Sequence, residues 1–332
     1  MKIAIIGCGA IGGYVGAKLA LAGEEVTFIV RGANLEALRS RGIRLIMSDG
    51  SEQVAHNVHA THDYVAAGAH ELVILAVKAH QLASVASEVP LLYGPDTVVV
   101  TMQNGIPYWY FHQHGGELCG SILDSVDPGG AISASIRPER VIGCVVYPAS
   151  ELLAPGVVKH IEGERFPVGE LDGSSSERVN RVSQCLTRAG FKAPVLPDIR
   201  AEIWLKLWGN LAFNPISALT RATLVDICQN PATRALAAAM MSEAQEIAQR
   251  LGITFRLSLE RRIAGAEKVG KHKTSMLQDI ETGRSPELDA LVGSVVELGR
   301  LTHTPTPRIE AVYAVTQLLA QTLAQQRTAA AR

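Results

Sequence analysis

A glycine-rich turn near the start of the chain constrains the fold more than any other feature of the sequence. The run Gly7 to Gly12 (GCGAIG) follows the apolar run 2–6 and opens a stretch with helical character. In such a strand–turn–helix unit, the first glycine permits a tight turn, the second lets the backbone approach a pyrophosphate, and the third lets the helix pack close to the strand. Free N–H groups at the helix N-terminus favour an anion at the same place. We therefore predict a dinucleotide site formed by Gly7, Gly9, Ala10, Ile11 and Gly12.

The region before residue 196 alternates short β-rich runs with helical stretches. Strands are predicted at 2–6, 25–30, 71–77 and 97–101, with helices at 11–22 and 33–41 between them. The last two strands are almost continuously apolar, which suits parallel strands covered on both faces. This order predicts an α/β fold with a doubly wound Rossmann sheet. Later runs at 141–147, 156–161 and 165–169 are expected to extend the same sheet, possibly in antiparallel orientation.

Only helical patterns follow residue 196. They cover 199–213, 232–251, 259–265, 286–301 and 308–324. We therefore predict a dinucleotide-binding Rossmann domain at residues 1–195 and an all-helical domain at residues 196–332. Pro215 disfavours the α conformation at Asn214, so the first of these helices is expected to end or kink there and to turn the Asn214 amide outward.

Composition narrows the class of partner. The formal net charge of -1 and the isoelectric point near 6.8 provide no basic field for a nucleic acid, so a small-molecule partner is favoured. No apolar stretch reaches the roughly 18 residues of a membrane span, and the first residues do not have the pattern of a signal peptide. Five widely spaced cysteines without a C-x-x-C pair suit a reducing compartment, so a cytoplasmic location is expected. No histidine spacing indicates a metal site.

The end of the second predicted strand bears on the choice of cofactor. NAD sites usually have an acidic residue there for the ribose 2′-hydroxyl, whereas this chain has Arg31. A guanidinium pairs well with a 2′-phosphate, so NADPH is the predicted cofactor. Lys78, Gln103 and Asn104 follow two further strands and are candidates to line the nicotinamide or substrate side. Asn-Gly is also a common turn and lysine a common surface residue, so a structural role for each stays open.

Three polar residues form a stripe on an otherwise apolar helix. Lys206, Asn210 and Asn214 are four residues apart, which places them on one helix face at intervals of about 6 Å. The neighbouring positions are mostly apolar, unlike a solvated surface helix. A ligand site would explain this stripe, and the alternative is a lysine stem that reaches water from a partly buried helix.

Together these blocks resemble the 2-dehydropantoate 2-reductase family, also called ketopantoate reductase. The resemblance extends over almost the whole chain through the Gly7 to Gly12 turn and the blocks 77–81 (VKAHQ), 103–105 (QNG), 204–214, 274–279 (TSMLQD) and 287–289 (ELD).

The resemblance implies NADPH-dependent reduction of a 2-oxo acid, most often 2-dehydropantoate to pantoate. It implies that Lys206 is the general acid and that Glu287 holds the substrate hydroxyl. Hydride addition turns a ketone into an incipient alkoxide, which an ammonium both stabilises and protonates. The substrate-binding residues that it implies are Asn104, Asn210, Asn214, Ser275 and Glu287.

Two departures from the family pattern concern the substrate. The family usually continues after the position of Asp289 with an aromatic residue and an Ile-Asn-Gly run, whereas this chain reads ALVG at 290–293. The segment 115–136 is longer and more polar than expected, and we assign it no role. The alternatives to reduction of 2-dehydropantoate are a related NADP-dependent reductase of another small oxo acid or imine, and a non-catalytic nucleotide-binding regulator. The helices of the second domain also allow a homodimer.

Overall fold

The structure, a computed structural model, describes residues 1–330 and contains two compact units. Unit 1 comprises Met1–Gln103 and Pro107–Ile199, and unit 2 comprises Asn104–Ile106 and the chain from Arg200 onward. The short segment Asn104–Ile106 therefore groups with the helical part of the chain, which the sequence did not indicate. Residues 331 and 332, the end of the predicted second domain, lie outside the described part.

The strands within the described residues all belong to unit 1. They are β1 (Lys2–Ile6), β2 (Glu25–Ile29), β3 (Ile43–Ile46), β4 (Glu52–Ala55), β5 (Val58–Thr61), β6 (His70–Leu75), β7 (Tyr93–Thr101), β8 (Val141–Cys144), β9 (Ala149–Ala154), β10 (Val157–Glu162) and β11 (Val168–Gly169).

Seven of these strands form the predicted doubly wound sheet. Its order is β11-β8-β7-β6-β1-β2-β5, and every neighbouring pair is parallel except β11 with β8. The chain first proceeds from β1 to β2 and β5, and then returns to the other side of β1 through β6. Ligands of such sheets bind at the carboxyl ends of the strands where this reversal occurs.

A second sheet corrects part of the prediction. Its order is β4-β3-β10-β9, so β9 and β10 do not extend the first sheet as the sequence pattern suggested for 156–161. The segments 141–147 and 165–169 do contribute β8 and β11 to the first sheet.

The second sheet is explained by the first helix. Helix α1 (Ala10–Leu21) is apolar around most of its circumference, so it requires cover on more than one face. A Cβ on Gly16 would lie 2.2 Å from Phe28 of β2, whereas a Cβ on Gly13 would lie 2.5 Å from Val158 of β10. The helix is therefore packed between the two sheets.

The helices after α1 continue through both units. They are α2 (Gly32–Arg41), α3 (Tyr64–Ala67), α4 (Ala131–Ser135), α5 (Glu177–Arg188), α6 (Ile199–Thr220), α7 (Leu224–Gln229), α8 (Pro231–Arg250), α9 (Leu259–Lys268), α10 (Ser275–Glu281), α11 (Ser294–Leu301) and α12 (Pro307–Ala330). A π-helical turn at Asp289–Gly293 precedes α11. Helical geometry begins at Leu288, so Glu287 lies just before the helix instead of inside the predicted segment 286–301.

Helix α6 does not end at Asn214, because it continues through Pro215 to Thr220. Proline in a helix interior costs about 3 kcal/mol. Here the flanking residues Leu211, Ile216 and Ala218 are at most 2% exposed, and burial of their side chains offsets that cost. Asn214 is consequently buried, with 5% of its surface exposed. The prediction that its amide turns outward is therefore wrong.

Residues 1–330 contain no helix that is long and apolar enough to cross a membrane. In the same part of the chain, no three or more His, Cys, Asp or Glu side chains are grouped as metal ligands would be.

Candidate functional site

The glycine turn between β1 and α1 packs tightly against neighbouring atoms at Gly7 and Gly12 and leaves open space at Gly9. Gly7 has φ +96°, its N–H donates to the carbonyl of Ile29 at 3.1 Å, and a Cβ there would lie 2.9 Å from Val77. A Cβ on Gly12 would lie 2.1 Å from the carbonyl oxygen of Gly7. A Cβ on Gly9, by contrast, would meet no atom of the described structure within 4 Å. The turn therefore leaves space where a pyrophosphate would approach.

The start of α1 provides the donors for such an anion. Ala10 and Ile11 form its first turn, and in the described structure no side chain caps its N-terminus at Gly9. Their N–H groups are oriented toward an anion at that end. Burial raises the pKa of the Cys8 thiol to about 12, so this side chain adds no negative charge to the turn at neutral pH.

Arg31 lies at the carboxyl edge of the sheet, two residues after β2. It occupies the N-cap position of α2 and is exposed. The Gly7 N–H donates to the carbonyl of Ile29, so the end of β2 lies beside the glycine turn. Arg31 follows this strand end, where the 2′-phosphate of an adenosine ribose is expected.

Asn34 is a residue that the sequence reasoning missed. Its Nδ2 donates to the carbonyl of Cys8 at 3.2 Å, and its Oδ1 accepts from the N–H of Gly156 at 3.1 Å. The amide therefore connects the glycine turn to α2 and to the β9–β10 hairpin. The sequence signal that could have indicated Asn34 is an asparagine in the first turn of the helix after β2.

Lys78 and Gln103 follow β6 and β7 at the same edge of the sheet. Lys78 is half-buried, and its N–H donates to Oε1 of Gln81 at 3.1 Å. Gln103 Nε2 donates to the carbonyls of Leu75 at 2.8 Å and Val77 at 3.0 Å. The Gln103 amide thus joins the ends of two strands, and a cofactor contact for either residue stays a prediction.

In unit 2 the structure brings together three of the predicted site residues. Lys206 Nζ on α6 donates to Asn104 Oδ1 at 2.6 Å, and Asn104 Nδ2 donates to Glu287 Oε2 at 3.2 Å. All three residues are half-buried. A neutral amide is suited to this place because its oxygen accepts from an ammonium while its nitrogen donates to a carboxylate. We call this series the Lys206–Asn104–Glu287 chain.

The remaining predicted substrate residues are not part of the Lys206–Asn104–Glu287 chain. Asn210 is half-buried one turn after Lys206, and Asn214 is buried one turn further. Ser275 is exposed as the first residue of α10, whose N-cap is Thr274. No hydrogen bond described for residues 1–330 joins the side chain of Asn210, Asn214 or Ser275 to the Lys206–Asn104–Glu287 chain, so their contact with a substrate stays a prediction.

A glycine turn at the reversal point of a doubly wound parallel sheet defines a dinucleotide-binding protein of the Rossmann class. Two family models match the chain: Ketopantoate reductase PanE/ApbA over residues 3–173, and Ketopantoate reductase PanE/ApbA C terminal over residues 198–320. The chain belongs to this family, as the sequence resemblance predicted.

Relatives with known names agree with this assignment. The chain is 55% identical over 321 residues to a 2-dehydropantoate 2-reductase of Mesorhizobium japonicum, covering 96% of this chain and 98% of the relative. It is 31% identical to a 2-dehydropantoate 2-reductase of Archaeoglobus fulgidus, with 90% of each chain covered.

Solved structures show the same fold. A protein from Ralstonia solanacearum MolK2 matches with a TM-score of 0.93 at 43% identity, covering 97% of this chain and 98% of the other. The 2-dehydropantoate 2-reductase from Methylococcus capsulatus matches with a TM-score of 0.82 at 26% identity, covering 97% and 98%.

Proposed function

We propose that this protein uses NADPH to reduce the keto group of 2-dehydropantoate and so forms pantoate. The observation that carries this proposal is the Lys206–Asn104–Glu287 chain, which holds an ammonium and a carboxylate on either side of one amide. The named relative at 55% identity and the two family models support the same reaction.

NADPH supplies the hydride in this reaction. The Gly7 to Gly12 turn, with the N–H groups of Ala10 and Ile11, holds the pyrophosphate, because the space at Gly9 and the uncapped helix end both fit an anion. Arg31 binds the 2′-phosphate through its guanidinium. Lys78 and Gln103 line the nicotinamide side, and Gln103 also keeps its bonds to the strand end.

Lys206 donates the proton. As the carbonyl carbon receives hydride, its oxygen gains negative charge, and the ammonium first stabilises that charge and then protonates the oxygen to give the alcohol. Asn104 Oδ1 holds the ammonium in place through the 2.6 Å bond.

Glu287 accepts a hydrogen bond from the substrate hydroxyl, which helps to distinguish this substrate from 2-oxo acids that lack the group. Asn104, Asn210, Asn214 and Ser275 bind the other polar groups of the substrate.

The decisive experiment measures oxidation of NADPH by the purified protein with 2-dehydropantoate and with a panel of other 2-oxo acids and imines. The proposal predicts the highest kcat/KM for 2-dehydropantoate. A higher value for another oxo acid or an imine would reassign the substrate. Binding of NADPH without turnover of any compound would instead indicate a regulator.

We also infer that the protein acts in the cytoplasm. The cysteines Cys8, Cys119, Cys144, Cys185 and Cys228 are free thiols in the structure, which fits a reducing compartment. The predicted homodimer is tested by light scattering of the purified protein, where a mass near that of one chain would contradict it.

A further inference from the structure

The π-helical turn at Asp289–Gly293 releases a backbone carbonyl close to the Lys206–Asn104–Glu287 chain. The N–H of Ser294 donates to the carbonyl of Asp289, five residues earlier, where a regular α-helix would bond it to Ala290. The Ala290 carbonyl thereby loses its usual helical donor. A buried carbonyl needs a replacement.

Two other groups donate to this carbonyl. The N–H of Ile106 does so at 2.9 Å, and the hydroxyl of Ser294 does so at 2.8 Å. Ser294 is fully buried and Ile106 is 1% exposed. Since water has little access to either donor, loss of one of these bonds leaves a polar group without compensation.

Gly105 allows the first of these bonds to form. It has φ +88°, and a Cβ at this position would lie 2.1 Å from the carbonyl oxygen of Ala290 and 2.4 Å from its carbon. Any other residue would therefore displace the segment Asn104–Ile106 from the π-turn. Asn104 is the residue directly before Gly105, so its amide would move as well.

We propose that the π-turn is a positioning device, in which the Ala290 carbonyl fixes the Asn104 amide between Lys206 and Glu287. Gly105, Ile106 and Ser294 act through Asn104 and are positioning residues. This inference rests on the proposed function for its effect on catalysis, but its effect on Asn104 is independent of any substrate. It also gives a role to the block 290–293, where the chain departs from the pattern of its family.

Two substitutions test this inference in the full-length protein. Gly105→Ala introduces the clash with Ala290, and Ser294→Ala removes one donor to its carbonyl. Ser242→Ala is the matched control, because the Ser242 hydroxyl also donates to the carbonyl four residues earlier, at 3.0 Å in α8. A loss of one hydrogen bond predicts that kcat falls about 3- to 10-fold in Ser294→Ala, and that it falls further in Gly105→Ala.

Two readouts separate positioning from a general loss of structure. The KM for NADPH should change less than about 2-fold, since unit 1 is unaltered. In ¹⁵N-labelled protein, the side-chain amide signal of Asn104 should shift and exchange faster with solvent in both variants but not in Ser242→Ala.

The outcomes distinguish this inference from the proposed function. If the wild-type protein turns over no 2-oxo acid, the proposed function fails, and the Asn104 amide signal still tests the positioning. An unchanged amide signal with unchanged kcat in the variants would overturn the inference. If Gly105→Ala does not fold, the comparison of Ser294→Ala with Ser242→Ala decides.

Discussion

The ammonium of Lys206 donates a 2.6 Å hydrogen bond to the side-chain oxygen of Asn104, although 102 positions separate the two residues in the chain. The same amide donates to Glu287 at 3.2 Å. One neutral side chain thus joins a cation and an anion that the proposed reaction needs for different tasks.

Replacing Lys206 by alanine removes the proposed proton donor. We expect kcat with 2-dehydropantoate to fall on the order of 100-fold or more, as is usual for loss of a general acid. The dissociation constant of NADPH, measured by fluorescence titration, should change little. Lys268→Ala is the control, because Lys268 is an exposed lysine at the end of α9. An unchanged kcat in Lys206→Ala would show that another group donates the proton.

Replacing Arg31 by alanine tests the cofactor preference. The loss of a charge-assisted pair with the 2′-phosphate should raise the KM for NADPH about 10-fold or more and leave the KM for NADH nearly unchanged. Steady-state kinetics with both cofactors provide the measurement. Arg41→Ala removes an exposed arginine at the other end of α2 and should alter neither value. Equal effects of Arg31→Ala on both cofactors would argue against a phosphate contact.

Glu287→Gln keeps the size of the side chain and removes its charge. A neutral amide oxygen accepts a weaker hydrogen bond than a carboxylate, so we expect the KM for 2-dehydropantoate to rise about 10-fold. A 2-oxo acid without the hydroxyl should be affected much less. Glu281→Gln, at the exposed end of α10, serves as the control. If both substrates respond equally, Glu287 does not bind the hydroxyl.

His70 should make unit 1 sensitive to acid. Burial lowers the pKa of this side chain, and the hydrogen bond between Nδ1 and the carbonyl of Gly68 at 2.8 Å only partly opposes that effect. Its Nε2 has no hydrogen-bond partner among the described residues, so protonation would create a buried donor without an acceptor. The unfolded chain therefore binds this proton more readily, and the free energy of unfolding falls as pH drops below the ordinary histidine value of about 6.5.

Urea unfolding at about pH 7.5 and about pH 5.5 measures this effect, because histidines change their charge within that range. His70→Asn can still donate to Gly68 and should lose less stability between the two pH values than the wild type. His59→Asn, which alters an exposed histidine of β5, should keep the wild-type difference. An equal acid loss in His70→Asn would assign the sensitivity to other groups.

Local sequence signals predicted the part of the fold that holds the cofactor turn. Strands β1, β2 and β6 and the last residues of β7 are mostly apolar runs, and the Gly7 to Gly12 turn follows β1 and opens α1 as expected. Each signal is contained within a few neighbouring residues. The order of the strands then follows from the rules for βαβ units.

The second sheet has no comparable local signal. Three of the four residues of β4 are exposed, and β3 pairs with β10 through residues as distant as Arg44 and Val157. A pairing over such a separation depends on tertiary packing around α1. The continuation of α6 through Pro215 has the same origin, since a local rule predicted an end that burial of the flanking residues prevents.

For the site, sequence reasoning named Lys206, Asn104 and Glu287 but not the hydrogen bonds that join them. Helical spacing grouped Lys206 with Asn210 and Asn214, because those residues share one helix face. The partner that the structure gives Lys206 is Asn104, which comes from a distant turn. The π-turn that supports Asn104 depends on a shift of backbone bonding at Asp289–Gly293, which residue type alone does not encode.

The burial of α1 between two sheets couples parts of unit 1 that are far apart in the chain. If the four-stranded sheet detached, it would expose an apolar helix surface to water, so the two sheets should open together as one cooperative unit. A nucleotide bound at the start of α1 would then slow amide exchange in β3 and β10, strands that carry none of the residues proposed to contact it. The small sheet would in this way report cofactor occupancy, and damage to it would weaken nucleotide affinity from a distance.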